Sequence, residues 1–362
     1  MKPTFLKPSA KPMLTSPLRT DLFNSQLLHF LLYTALSKSA FLRIYKTYLS
    51  VCSFLFLNIT KLTVIFMLSR KQFEILVYLS DKHKSVPQRT IATNTKMSVG
   101  TVNKCLSELT ILGYLKDNII TASGLDALEP YRVKRAIFIA AGFGSRMVPV
   151  TLNTPKPLIR VNGKRIITTL LDAVVAAGIS EIYIVRGYLA EQFDQLLYDY
   201  PMIKFIENPQ YNEANNISSA VCASYLLKNA YVLEGDLVLY NPKLITKYQY
   251  HSNYLGVPVD KTDDWCFETN DSGVIKKLLV GGRNCHHMFG ISYWDEADGA
   301  RLVGHIKQVF QSPGGKERYW DQVALEYFKD EYKVHVRECT FDDIIEIDTY
   351  SELKALDKTY DV

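Results

Sequence analysis

The sequence has no CxxC pair, no low-complexity tract and no even spread of charge. Its six cysteines (Cys52, Cys105, Cys222, Cys266, Cys285 and Cys339) are scattered over 362 residues. That excludes the dense disulfide framework of small secreted domains and fits a reducing, cytoplasmic setting. Cys285-His286-His287 is the one cluster of soft ligands, and three adjacent residues rarely supply a tetrahedral metal set. With only 18 Gly and 14 Pro the chain is not fibrous, and with 48% hydrophobic residues it is not disordered. Its net +5 does not mark a nucleic-acid-binding surface. Residues 1–66 carry eight Lys/Arg against the single acid Asp21, a net +7, so residues 67–362 hold a net −2. At this length, two or more domains are expected.

Residues 1–66 form an apolar, basic leader. Its second apolar stretch, 48–68, approaches the length of a bilayer span, about 20 residues. Asn58 and Lys61 interrupt it, and a central Lys costs about 2.5–3.5 kcal/mol on insertion scales. Three readings stay open: an extension upstream of a true start at Met67, a membrane anchor, or a genuine but loosely ordered extension. From 67 to 132 the pattern is three helices and a small hairpin. Phe73, Leu76 and Val77 mark the first helix, and residues 88–95 form the second. Ser98 caps a third that carries Val102, Leu106 and Leu109 and ends at Gly113. Residues 114–115 and 119–120 then pair. This order resembles a winged helix-turn-helix module of the MarR type. DNA as its partner is left open, since Lys96 and Lys104 are offset by Glu108; a dimerisation or regulatory role is the alternative, and a homo-oligomer stays open with it.

Beyond Arg135, strands alternate with helices, as in a three-layer α/β sheet. Residues 136–140, 182–185 and 231–233 are apolar strands. Ile167, Leu170, Leu171, Val174 and Val175 recur at helical spacing before Gly178. The first strand runs into Ala140-Ala141-Gly142-Phe143-Gly144-Ser145-Arg146. A glycine loop there brings backbone N–H groups to a phosphate, and Gly142 and Gly144 remove the Cβ atoms that would block close approach. Arg146 offers a planar fork for phosphate oxygens and Lys156 a second, mobile cation. A Walker loop is excluded because Ser145-Arg146 follows Gly144, and a dinucleotide fingerprint because Met147 stands where its third glycine would be.

With Pro149, Thr151, Pro155 and Lys156 following, the stretch resembles the signature of sugar-phosphate-type nucleotidylyltransferases, which join an NTP to a phosphorylated substrate and release pyrophosphate. From Arg135 to the end the chain is similar to bacterial CTP:phosphocholine cytidylyltransferases. The similarity is carried by Gly187-Tyr188, Gln192, Asn215-Asn216-Ile217-Ser218, Gly290-Ile291-Ser292, Tyr319-Trp320-Asp321 and Glu346-Ile347-Asp348. The resemblance implies a Rossmann-like three-layer nucleotidyltransferase domain with a mixed sheet over 133–362. It also implies CTP and phosphocholine as substrates, and Mg2+ held by Asp236 and Asp348. Arg146 would bind the β- and γ-phosphates, and Lys156 the α-phosphate or the incoming phosphate. Gly187, Tyr188 and Gln192 would lie by the base and ribose. Asn216 and Ser218 would line that pocket or simply cap a helix. A quaternary ammonium calls for aromatic faces and carboxylates. Trp265, beside Asp263 and Asp264, and Tyr319 fit that need, with Glu346 as counter-charge; Trp294 and Trp320 are equally suited to packing. The alternatives are a transferase acting on a sugar 1-phosphate or an aminoalkylphosphonate, and a DNA-binding regulator with a nucleotide-sensing domain.

Overall fold

The computed structural model describes residues 67–361, so the leader and all but the end of its apolar stretch 48–68 lie outside the described residues. No helix among the described residues is long and apolar enough to cross a membrane. Contacts divide the chain after Met67, and Leu68–Val362 hold together as one unit.

The unit opens with α1 (Arg70–Ser80), α2 (Gln88–Thr95) and α3 (Val99–Ile111). Ser69 closes a capping box with Gln72 on α1, and the Ser98 hydroxyl accepts from Thr101 N–H at 3.1 Å on α3. Ile75, Leu76, Val102 and Leu109 are fully buried between these helices. Gly113, at φ +75°, ends α3 and turns the chain into β1 (Leu115–Lys116) and β2 (Ile119–Ile120). Asp117 and Asn118, both left-handed, make the two-residue turn that suits a tight hairpin. The short α4 (Ala122–Asp126) follows.

The second part is a seven-stranded mixed sheet. Its strands are β3 (Arg135–Ile139), β6 (Glu181–Arg186), β7 (Ile203–Glu207), β8 (Ala230–Glu234), β10 (Asn253–Thr269), β11 (Ile275–Trp294) and β12 (His335–Glu338). Short ladders pair β4 (Arg160–Val161) with β5 (Lys164–Arg165), and β9 (Leu237–Leu239) with β13 (Ile344–Glu346). The large sheet is ordered β12-β10-β11-β8-β3-β6-β7, and β11 runs antiparallel to both its neighbours. Strand β3 shows why helices cover both faces. Ala136 and Phe138 pack into the core under α5 (Ile166–Ala176), while Ile137 and Ile139 pack against α6 (Ile217–Ala223) and α7 (Glu296–Gln311). The last helix, α8 (Tyr350–Leu356), is fixed by a Thr349/Glu352 capping box.

The two parts share a seam. Tyr248 lies in the core of the helical part, and Tyr131 stacks on Tyr250 at 5.4 Å. The hydroxyls of Tyr131 and Tyr250 both donate to the Leu68 carbonyl, at 3.4 and 2.8 Å.

Candidate active site

A cavity of about 520 Å3 opens at the carboxyl ends of β3 and β8, where ligands bind in open α/β sheets. Its rim begins at the glycine loop: Ala140, Ala141, Gly142, Gly144, Ser145 and Arg146 all line it. Gly144 sits at φ +67°, and a Cβ there would come within 3.2 Å of both Lys156 Cβ and Thr151 Cγ2. The Thr151 hydroxyl donates to the Gly144 carbonyl at 3.0 Å and pins the loop.

Below the loop stands Lys156, only 8% exposed. Its ammonium donates to Asp236 Oδ2 at 2.8 Å and to Asp348 Oδ1 at 2.9 Å, and Arg146 reaches the same Asp348 oxygen at 2.7 Å. The four residues therefore surround one volume. The small β9/β13 ladder achieves this by pairing Leu237 with Glu346 and tying Ile347 N–H to the Asp236 carbonyl at 3.2 Å, so two acids more than 100 positions apart meet. Burial pushes the Lys156 ammonium down, but Asp236 and Asp348 outweigh it and hold the group above its ordinary value.

The acids extend further than the sequence suggested. Donor atoms of Glu234, Asp236 and Glu346 lie within 4.8 Å of one another, while Asp348 is engaged by Lys156 and Arg146. Asp236 Oδ1 is buried without a hydrogen-bond partner. An orphaned carboxylate oxygen beside further acids is the donor set a hard cation takes, so the residues fit Mg2+. Among the described residues no other cluster of three metal-type ligands occurs, and Cys285-His286-His287 does not form one. Glu234 accepts from Asn216 Nδ2 at 3.2 Å and rests over Gly290 of β11, where an added Cβ would fall 2.1 Å from its Oε2. Burial, then Asp321 and Asp236, push the Glu234 carboxyl well up; burial pushes Asp321 up to about 6.

The aromatic wall is made by Trp265 and Tyr319, edge to face at 5.4 Å, with Asp264 and Glu346 also on the lining. Asp263 is not on it and pairs with Lys261 at 3.1 Å. Trp294 and Trp320 are buried packing residues, 0% and 2% exposed. Asn216 and Ser218 both line the cavity; Asn216 also occupies the N-cap position of α6, but its side chain makes no capping bond there. Instead Asn216 Oδ1 accepts from Trp320 N–H at 2.9 Å, joining the aromatic segment to Glu234.

Gly187, Tyr188 and Gln192 are not on the lining. Tyr188 donates to the Thr151 and Leu152 carbonyls at 2.9 and 3.1 Å, and Gln192 to the Asn153 carbonyl at 2.8 Å. They brace the segment after the glycine loop from behind. Gly187 gives way to Tyr211, whose ring root would lie 2.6 Å from a Cβ there, and it is Tyr211 that reaches the cavity. The missed residues are chiefly Glu234, Asp321 and Tyr211. Asp321 stood in the Tyr319-Trp320-Asp321 segment; nothing in the sequence singled out the other two.

Residues 136–264 match the family described as the MobA-like NTP transferase domain. The chain is 37% identical over 228 residues to 2-aminoethylphosphonate cytidylyltransferase of Lancefieldella rimae, covering 62% of this chain and 92% of that protein. It is 31% identical over 227 residues to choline-phosphate cytidylyltransferase of Streptococcus pneumoniae, covering 62% and 97%. The solved structure of CTP:phosphocholine cytidylyltransferase from Streptococcus pneumoniae superposes with a TM-score of 0.58 at 31% identity, over 63% of this chain and 99% of that one.

Proposed function

This chain belongs to the cytidylyltransferases of the MobA-like NTP transferase class, and from that premise we propose that it transfers CMP from CTP to a small phosphoryl acceptor with a cationic amine head, releasing pyrophosphate. Choline phosphate and 2-aminoethylphosphonate, named for two of its relatives, are acceptors of this kind. The observation that carries the reading is Lys156 bridging Asp236 and Asp348 beneath a glycine loop, with Arg146 at the mouth.

The glycine loop and Arg146 hold the outer phosphates, and Arg146 leaves Asp348 to do so. Lys156 stays charged and places its ammonium at the α-phosphate, where negative charge builds as the acceptor oxygen attacks. The attacking phosphoryl oxygen is already a nucleophile, so no protein nucleophile is required. Mg2+ held by Asp236 and Asp348, with Glu346 alongside, would neutralise the triphosphate and stabilise departing pyrophosphate. Asn216 fixes Glu234 and the Tyr319–Asp321 segment relative to each other, and Trp265 and Tyr319 give the acceptor an apolar wall.

We read residues 67–132 as a winged helix-turn-helix module, supported by three capped or tightly turned helices and the β1–β2 hairpin. Pyrophosphate release measured across four NTPs and a panel of acceptors tests the catalytic reading. CTP with an amine-headed phosphate or phosphonate is expected to be preferred. Preference for another NTP, or for a sugar 1-phosphate, would replace it.

A further inference from the structure

A second, smaller cavity, of about 300 Å3, adjoins the segment that follows the glycine loop. No carboxylate lines it, whereas Glu234, Asp236, Asp264, Asp321, Glu346 and Asp348 all line the first. Its charged residues are two arginines, Arg160 and Arg165, both from the β4–β5 hairpin. Asn162 and Gly163, both left-handed, make a two-residue turn that pairs Arg160 directly with Arg165. Residues so opposed have Cβ atoms about 4.5–5.5 Å apart, and like charges there destabilise the ladder.

Among the described residues no acid pairs with either side chain. The arginines that form ion pairs are Arg70, Arg132, Arg135, Arg146, Arg186 and Arg301. The hairpin itself, Arg160-Val161-Asn162-Gly163-Lys164-Arg165, has three cations and no acid. Arg160 Nη1 donates to the Gly163 carbonyl at 2.6 Å, and Arg165 Nη2 to Gln195 Oε1 at 2.5 Å, both neutral acceptors. A guanidinium has five N–H donors, so most of each fork is left for a ligand or water.

Neutral donors surround the pair. Gln192 and Gln195 each commit one amide N–H, to the Asn153 and Gln192 carbonyls at 2.8 and 2.7 Å, and keep a second. Thr154 adds a hydroxyl, and the Tyr360 hydroxyl anchors the hairpin by donating to the Arg160 carbonyl at 2.8 Å. Two guanidinium forks among neutral donors, with no acid to repel an anion, suit the several oxygens of a phosphoryl group.

One short strip separates the two cavities. Lys156 and Pro157 line the first, and Thr154, Leu158 and Ile159 line the second. The strip is a tight turn over Lys156–Leu158, buried throughout, and the Ile166 N–H fastens it to α5 through the Ile159 carbonyl at 2.9 Å. A close-packed strip passes displacement from one side to the other.

We propose that the β4–β5 cavity is a regulatory site for a phosphoryl anion, and that its occupancy alters transfer at Lys156 through residues 154–159. The coupling rests on the transfer reading above; the binding does not.

The test separates the two. Calorimetry on the full chain, with CTP saturating to fill the first cavity and no acceptor present, is run with inorganic phosphate, pyrophosphate and CMP against chloride at matched ionic strength. We expect one equivalent of a phosphoryl anion to bind, with phosphate or pyrophosphate marking a free anion as the source and CMP alone marking a nucleotide. Arg160→Gln and Arg165→Gln should each raise Kd about tenfold or more, the loss of one charge-assisted bond, and leave Kd for CTP within about twofold. No binding beyond the chloride control, or an unchanged Kd in both variants, overturns the site; if one variant does not fold, the other decides. In initial-rate assays of CTP conversion, the bound anion should change kcat at least about twofold, toward a plateau that excess CTP does not reverse and that both variants lose. An effect fully competitive with CTP, or equal in the variants, overturns the coupling. If no acceptor reacts, the transfer reading and the coupling fall together, while calorimetry still decides the site.

Discussion

At Lys156 two opposed effects meet. Burial disfavours the ammonium, and the two carboxylates 2.8 and 2.9 Å away restore it. Lys156→Ala therefore removes a charge aimed at the reacting phosphorus and leaves Asp236 and Asp348 facing each other uncompensated. Turnover should fall by about 100- to 1,000-fold, the loss typical of one transition-state donor, while KM for CTP changes little. Steady-state kinetics checks the split: a raised KM with normal turnover would make Lys156 a binding residue only. Arg146 differs in kind, because it is exposed and meets Asp348 from the solvent side.

At the scale of elements, the ladder between β8 and β11 makes room for chemistry by omitting a side chain. Gly290 lies beside Ile291, which pairs with Leu233, and a methyl there would press 2.1 Å from Glu234 Oε2. Gly290→Ala should cost about 1–3 kcal/mol in urea denaturation, the range for forcing atoms into a packed site; an unchanged midpoint would show that Glu234 moves aside freely. The glycine loop was legible in the sequence because its glycines, Arg146 and Lys156 are close together and follow a strand whose burial alternates between two cores. Helix bounds were legible too, as at residues 88–95 and at the Ser98 cap. Glu234 was not, because it ends an apolar strand without any local peculiarity. Gly187, Tyr188 and Gln192 were expected at the base; they lie off the cavity lining, with Tyr188 and Gln192 bonded to the carbonyls of residues 151–153, and sequence order does not tell which way a loop side chain turns. The long β10–β11 hairpin, 17 and 20 residues with several register shifts, lacks the regular alternation that reveals a strand.

Across the whole molecule, the seam between helices and sheet holds a half-buried histidine pair. His251 and His335 meet at 3.7 Å, with Tyr250 at the edge of His251 and Arg70 and Lys333 nearby. Burial first, then His335, Arg70 and Lys333, push His251 down to about 3. An unfolded chain would take up that proton near its ordinary value of about 6.5. Stability from this site is thus complete above about 6.5 and declines as pH falls toward 3, since the unfolded state binds the proton first. Thermal melts should drop between pH 7.5 and pH 5, and less steeply in His251→Phe; parallel curves for the two would remove His251 as the cause. The same seam sets where the polypeptide can be cut. The Tyr131 and Tyr250 phenols, from segments almost 120 positions apart, converge on the Leu68 main-chain oxygen. A fragment of the sheet begun after the hairpin would lose that acceptor and bare the aromatic surface around Tyr248 and Tyr250, so expression trials of the transferase alone should retain Leu68 and the helices behind it.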